Sequence, residues 1–148
     1  MGQVKSMKPE ATGKEEQPSG DWFEAIVESN SGVGSNEVDR ELFNTTFDAF
    51  MAGSFDLAHE GFMQLAETGS SVSQYYLGMM FLNGKGVLQD FCAAHMWFNI
   101  ASSRGHDKAR KQLEKLTLSM VPEQVAEAQS QARHWVRLQN AGGDLVGK

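Results

Sequence analysis

The chain carries one cysteine, Cys92, so an internal disulfide is excluded. It has no stretch approaching the roughly 18 to 20 uncharged apolar residues that cross a bilayer as a helix. Met1 to Gly20 lack the apolar run of a secretory signal. These absences predict a soluble chain held by packing alone. They leave the compartment open: cytoplasmic, or periplasmic or secreted if a leader has been removed. Positive charge is also scarce in places. Residues 1–40 hold four Lys/Arg against eight Asp/Glu, residues 41–90 one against six, and residues 91–148 eight against five. The chain is bipolar beneath its net charge of −6. With 148 residues, 41% of them apolar, it has the size and core material of one modest domain.

Met1 to Gly20 are mostly Lys, Glu, Pro, Gly and Ser, which bury too little surface to offset the entropy of ordering. A disordered tail is expected over 1–36, broken by a short amphipathic arm at 21–29. In the arm, Trp22, Phe23, Ile26 and Val27 share a helical face behind Asp21, a residue able to cap a helix. Ser29 to Asn36 are Ser, Gly and Asn around a single Val, a linker composition, and the body starts near Glu37.

A shift of 36 residues pairs Ser54 with Asp90, Phe55 with Phe91, Ala58 with Ala94, His59 with His95, Phe62 with Phe98, Gly69 with Gly105 and Ser73 with Ala109. Ser54 and Asp90 are both good N-cap residues, so two B helices should start at matched positions. Phe55, Ala58, Phe62 and Leu65 form the apolar stripe of the first; Phe91, Ala94, Phe98 and Ala101 form that of the second. Gly69 and Gly105 suit the left-handed conformation that ends a helix.

Ahead of each B helix lies an A helix, marked by Leu42, Phe43, Phe47 and Phe50 and by Ser73, Leu77, Met80 and Phe81. Gly78 inside the second costs about 1 kcal/mol relative to Ala, which implies close approach of the B-helix backbone. Asp107 to Leu116 predict a third A helix. Pro122 to Leu138, with Val125, Ala128, Ala132, Trp135 and Leu138 on one side, predict a closing helix that caps the stack. Residues 140–148 contain three Gly and should form a fraying tail.

Tyr76-Leu77-Gly78, Phe81, Asn83-Gly84-Lys85-Gly86-Val87, Asp90, Ala94, Trp97-Phe98, Ala101, Gly105-His106 and Ala109 resemble one full Sel1-like repeat, a relative of the tetratricopeptide repeat. The resemblance covers about Phe50 to Trp135, with the first unit shortened in its A–B loop. Pro122 to Ala128 are similar to the terminal helix of small bacterial members. It implies an all-α fold: an α-α superhelix, or solenoid, of Sel1-like helix pairs over 37–139 with a C-terminal capping helix. Two features depart from the pattern. Phe81 replaces a Tyr, and Val121 stands where a capping Thr suits Pro122, which would let that helix begin at Ser119.

Chemistry finds little support in the spacing. Asp56-x-x-His59 and Cys92-x-x-His95 occupy matched positions, and on stacked helices about 8 to 10 Å apart they offer four ligand types to zinc. Core packing explains them better, so no metal is expected. Lys14 is followed by Glu15 where a phosphate loop needs Ser or Thr, and Gly84-Lys85-Gly86 fits a helix-linking turn. No Ser/Cys–His–acid set can be placed, and His106 and His134 read as packing or surface residues. No catalytic residue and no cofactor are assigned.

Two surfaces remain for binding. Tyr75, Met79 and Leu82 recur at i, i+4, i+7, off the Leu77/Phe81 stripe, and define a candidate groove on the concave face implied by the resemblance. Arg104, Lys108, Lys111 and Lys115 would form a basic stripe if one helix ran through all four, though Gly105 interrupts it at the first. The candidate partner-binding residues are therefore Tyr75, Met79, Leu82, Lys108, Lys111 and Lys115, with Trp22 and Phe23 of the arm. The expected function is a noncatalytic interaction module or adaptor that holds a peptide or helix of a protein partner, with nucleic acid not expected. The alternative is head-to-tail self-association of the acidic N-terminal half with the basic C-terminal half.

Overall fold

A computed structural model describes residues 37–147. The tail at 1–36, with Trp22 and Phe23 of its arm, lies outside the described residues, as does Lys148. The described residues form six helices and no strand: α1 (Glu37–Met51), α2 (Phe55–Glu67), α3 (Ser71–Asn83), α4 (Phe91–Ser103), α5 (Asp107–Ser119) and α6 (Pro122–Gly147). The all-α expectation holds. Helix α6 runs on through 140–147, past the bound expected at Leu138.

The connections at 52–54, 68–70, 84–90, 104–106 and 120–121 are short, and through α5 each helix turns back on its predecessor. From α1 to α5 every consecutive pair packs together, and α6 lies against α4. Gly86 touches Phe55 at the start of α2, and the Cys92 thiol donates to the Gln124 carbonyl at 3.6 Å. These contacts bring the α1–α2, α3–α4 and α5–α6 turns to one end of the molecule.

The 36-residue period is visible in the hydrogen bonds. At the end of α2, Thr68 N and Ser70 N donate to Leu65 O at 3.0 and 3.1 Å; at the end of α4, Arg104 N and His106 N donate to Ala101 O at 3.0 and 3.1 Å. Gly69 and Gly105 carry φ of +97° and +92°, the left-handed stop their positions predict. The next helices are capped in parallel. Ser70 Oγ accepts from Ser73 N at 3.2 Å, and His106 Nδ1 accepts from Ala109 N at 3.1 Å.

Two expected helix starts differ. Asp90 Oδ1 accepts from Ala93 N at 3.0 Å and caps α4, but Ser54, with φ −84° and ψ 71°, makes no side-chain cap for α2. The three-residue connection holds Ser54 outside the extended conformation in which an N-cap hydroxyl reaches the next turn. Helix α6 starts at Pro122 rather than Ser119. Pro122 needs no partner for an N–H it lacks, and Gln124 Oε1 accepts from Val121 N at 3.2 Å, the glutamine half of a capping box without its Thr. Ser119 closes α5 by donating to Leu116 O at 3.0 Å.

Phe62 and Phe98, the matched residues of the B helices, are fully buried. Around Phe62 stand Phe43, Phe50 and Tyr76, the last stacked on it with ring centroids 5.1 Å apart. Such aromatic pairs add about 0.5–1.5 kcal/mol each to their area burial. Gly78 is explained by a side chain rather than by backbone: a Cβ there would lie 2.5 Å from Phe98 Cε1. Helix α3 is buried on nearly every side, as its all-round apolar sequence requires. It packs between α2 and α4, with Phe47 and Phe50 of α1 against Tyr76 and His106 against Tyr75. The closing helix is anchored by Trp135, whose ring meets Trp97 edge-on at 5.2 Å.

Candidate interaction surfaces

Tyr75 is not a groove residue. It is 2% exposed, its ring stacked on His106 at 4.8 Å and packed beside Tyr76 and Phe98. Its helical spacing places it off the Leu77 stripe, but the turn entering α5 covers that side. Met79 and Leu82 are half-buried against the core. The three therefore form no open trough.

Lys111 and Lys115 are exposed on α5, and Lys108 is half-buried. Arg104 stands apart from them at the C-cap of α4, with its guanidinium near Gly69 at the α2–α3 turn. The four-residue stripe is thus reduced to three lysines on α5. Arg110 is engaged along the same helix, 3.7 Å from Asp107 and 3.3 Å from Glu114. Exposed pairs of this kind contribute at most about 1 kcal/mol.

The candidate zinc ligands diverge. His59 meets the edge of the Phe81 ring at 6.1 Å, while His95 is buried with Nε2 2.9 Å from Thr117 Oγ1. Among the described residues no group of three or more His, Cys, Asp or Glu is placed to hold a metal ion. Burial pushes the Cys92 thiol up from its ordinary value, with Asp90 and Glu127 adding to the effect, so it stays protonated and weakly nucleophilic. Burial lowers the pKa of His95.

His106 has a role its neighbours in sequence disguise. It is the N-cap of α5, 7% exposed, and its pKa is lowered to about 4, first by burial and then by Lys108, against a smaller opposing effect of Asp107. The signal was present: shifting Ser70 by the same 36 residues reaches His106.

Large apolar side chains are left in water at the end where the α1–α2, α3–α4 and α5–α6 turns gather. Leu57 is 64% exposed and Leu88 is 90% exposed, with Met51, Phe91, Leu118 and Val121 also exposed. An open hollow lined by Gly53, Ser54, Phe55, Asp56, Leu57 and Gly86 joins the α1–α2 turn to the α3–α4 loop. Helical periodicity could not mark this surface, because each residue sits at or beside a helix terminus. Among the described residues no helix is long and apolar enough to cross a membrane.

No family model matches the chain, and no curated protein matches it.

Proposed function

We propose that this protein is a noncatalytic interaction module, a short solenoid of Sel1-like helix pairs closed by α6, which docks a peptide or helix of a partner protein. The recurrence of turn and cap hydrogen bonds at a 36-residue shift supports the repeat reading. The observation that carries the interaction reading is the gathering of exposed Leu57, Leu88 and Phe91 at one end of the helices. Large apolar side chains left in water at one end of a folded protein favour a binding surface there. Contact through Tyr75 is not part of the reading, since that side chain supports the core.

The test is capture of a partner from the source cell by wild type beside Leu57→Ser/Leu88→Ser. A band lost in the variant, with the melting curve unchanged, supports the module; bands equal in both overturn the assignment to this surface. A second reading, self-association, is favoured by exposed Lys111 and Lys115 on α5 opposite the exposed acids Glu41, Asp48 and Glu60 of α1 and α2. A molar mass that stays monomeric at low salt and high concentration would remove it.

A further inference from the structure

Helix α5 buries only Ala109 and Leu116 of its 13 residues, whereas α3 buries eight, so apolar packing holds α5 loosely. Two buried histidines hold it as well, one near each end. At its start, His106 Nδ1 accepts from Ala109 N, so that nitrogen carries no proton. Near its end, the Thr117 hydroxyl donates its only hydrogen to Leu113 O at 2.7 Å, and its oxygen therefore accepts from His95 Nε2 of α4 at 2.9 Å. His95 is thus the Nε2–H tautomer, and its Nδ1 is buried without a hydrogen-bond partner. Both rings are neutral by geometry.

The surroundings disfavour a second proton on either ring. Helix α3 carries no Asp, Glu, Lys, Arg or His, and in α4 only Cys92 accompanies His95. On α5, Asp107, Arg110, Lys111, Glu114 and Lys115 are exposed, as are Glu123 and Glu127 at the start of α6. Burial alone lowers the pKa of His95. At His106, faced by the Tyr75 ring of α3, burial and Lys108 outweigh Asp107, and Arg104 of the preceding turn is directed to Gly69. Protonation would set a second N–H against Ala109 N at one ring and bury an N–H without an acceptor at the other. Departure of α5 relieves both. Helix α6 need not follow, because Trp135 meets Trp97 and Gln124 O accepts from Cys92, both on α4. We propose that α5 is an acid-released helix: protonation of His106 and His95 frees it from α3 and α4 between the Gly105 turn and the 120–121 connection, uncovering Tyr75 while the other helices stay folded.

The closed state binds these protons more weakly than the open one, so acid favours release; for His106 the window runs from about pH 6.5 down towards 4. The experiment is amide hydrogen exchange on the full chain at about pH 7 and about pH 5, corrected for intrinsic rates, the lower value lying above the ordinary carboxylate range. Amides of α5 should lose at least roughly tenfold more protection than those of α3 and α4. His95→Gln/His106→Ser replaces the Nε2 donor and the cap by groups that do not titrate, and its α5 protection should change less than about threefold between the two pH values. Loss of protection in α3, α4 and α5 together overturns the proposal, as does a double variant whose α5 responds to acid like wild type. Should that variant fail to fold, nitrogen NMR of the wild-type rings decides. His95 as the Nε2–H tautomer at neutral pH, with both rings gaining protons as α5 loses protection, supports release. The Nδ1–H tautomer, or two protonated rings beside a protected α5, overturns it.

Discussion

The α1–α2 and α3–α4 hairpins are built on one 36-residue template, yet they solve different packing problems. The first connects its helices through 52–54 and starts α2 without a side-chain cap; the second uses 84–90 and starts α4 on Asp90. Helix α1 keeps a solvated face with Glu41, Asn44, Thr45 and Asp48, whereas α3 is enclosed. Close approach is made in opposite helices: Gly61 of α2 receives Thr46 of α1, and Gly78 of α3 receives Phe98 of α4. Repetition fixes where helices stop and turn. The neighbours of each helix decide which of its faces are dry, and the small residues follow those neighbours rather than the period.

The comparison breaks hardest at the matched phenylalanines. Phe62→Ala and Phe98→Ala each remove a fully buried ring and should cost about 3–5 kcal/mol, measured by urea unfolding. Costs within about 1 kcal/mol of each other would show that the equivalence extends to energetics. A gap above about 2 kcal/mol would confine it to backbone geometry.

The caps Ser70 and His106 give the next largest effect, through pH. His106 Nδ1 accepts from Ala109 N, so the fold requires that nitrogen unprotonated. Its folded pKa of about 4 lies below the ordinary 6.5, so the unfolded state binds the proton more readily. The contribution is fully present above about pH 6.5 and is lost as pH falls towards 4, by something on the order of 2 kcal/mol. His106→Ser retains a cap of the Ser70 kind but gives up the ring stacked on Tyr75. It should be less stable than wild type near neutrality, yet lose less stability on acidification. An unchanged difference between wild type and variant at about pH 7 and about pH 4.5 would remove His106 from the acid response.

The two tight glycines sharpen the contrast further. Gly78→Ala should cost about 1–3 kcal/mol from overpacking, less the helix propensity gained. Phe98→Leu should make the same substitution cheaper by clearing the ring. Gly61→Ala should respond to Thr46→Ala instead, and cross-rescue between the hairpins should fail. Additivity of Gly78→Ala with Phe98→Leu in a double-mutant cycle would refute the contact.

Helix starts, stops and the B-helix core were legible in the sequence, because Gly69, Gly105, Asp90, Phe62 and Phe98 act through local geometry and a 3.6-residue stripe. The sequence misplaces Tyr75 because α3 has no polar face, and a helix apolar all round carries no periodic signal of what covers it. The turn-end surface was missed for the opposite reason. Leu57, Leu88 and Leu118 lie at or beside three connections far apart in sequence, and only the Gly86–Phe55 and Cys92–Gln124 contacts of the folded chain bring those connections to one end. Gly78 marks a close contact in the sequence, which implies backbone where the structure places the Phe98 ring.

The smallest effect tests the N-caps of the two B helices. Asp90→Ala removes the acceptor for Ala93 N at 3.0 Å and a carboxylate beside the positive end of α4, so it should cost about 1 kcal/mol. Ser54 occupies the matched position without that bond, and Ser54→Ala should change stability by no more than a few tenths of a kcal/mol. Asp90 sits on a connection long enough to reach the extended conformation, φ −153° and ψ 105°, while Ser54 does not. Lengthening the 52–54 connection by residues that let Ser54 become extended should therefore give Ser54→Ala a cost it lacks in the native chain. Loop closure charges only about 0.6 kcal/mol for each doubling of length, so the insertion itself is tolerable. If Ser54→Ala already costs as much as Asp90→Ala in the native chain, connection length is not what separates the two hairpins.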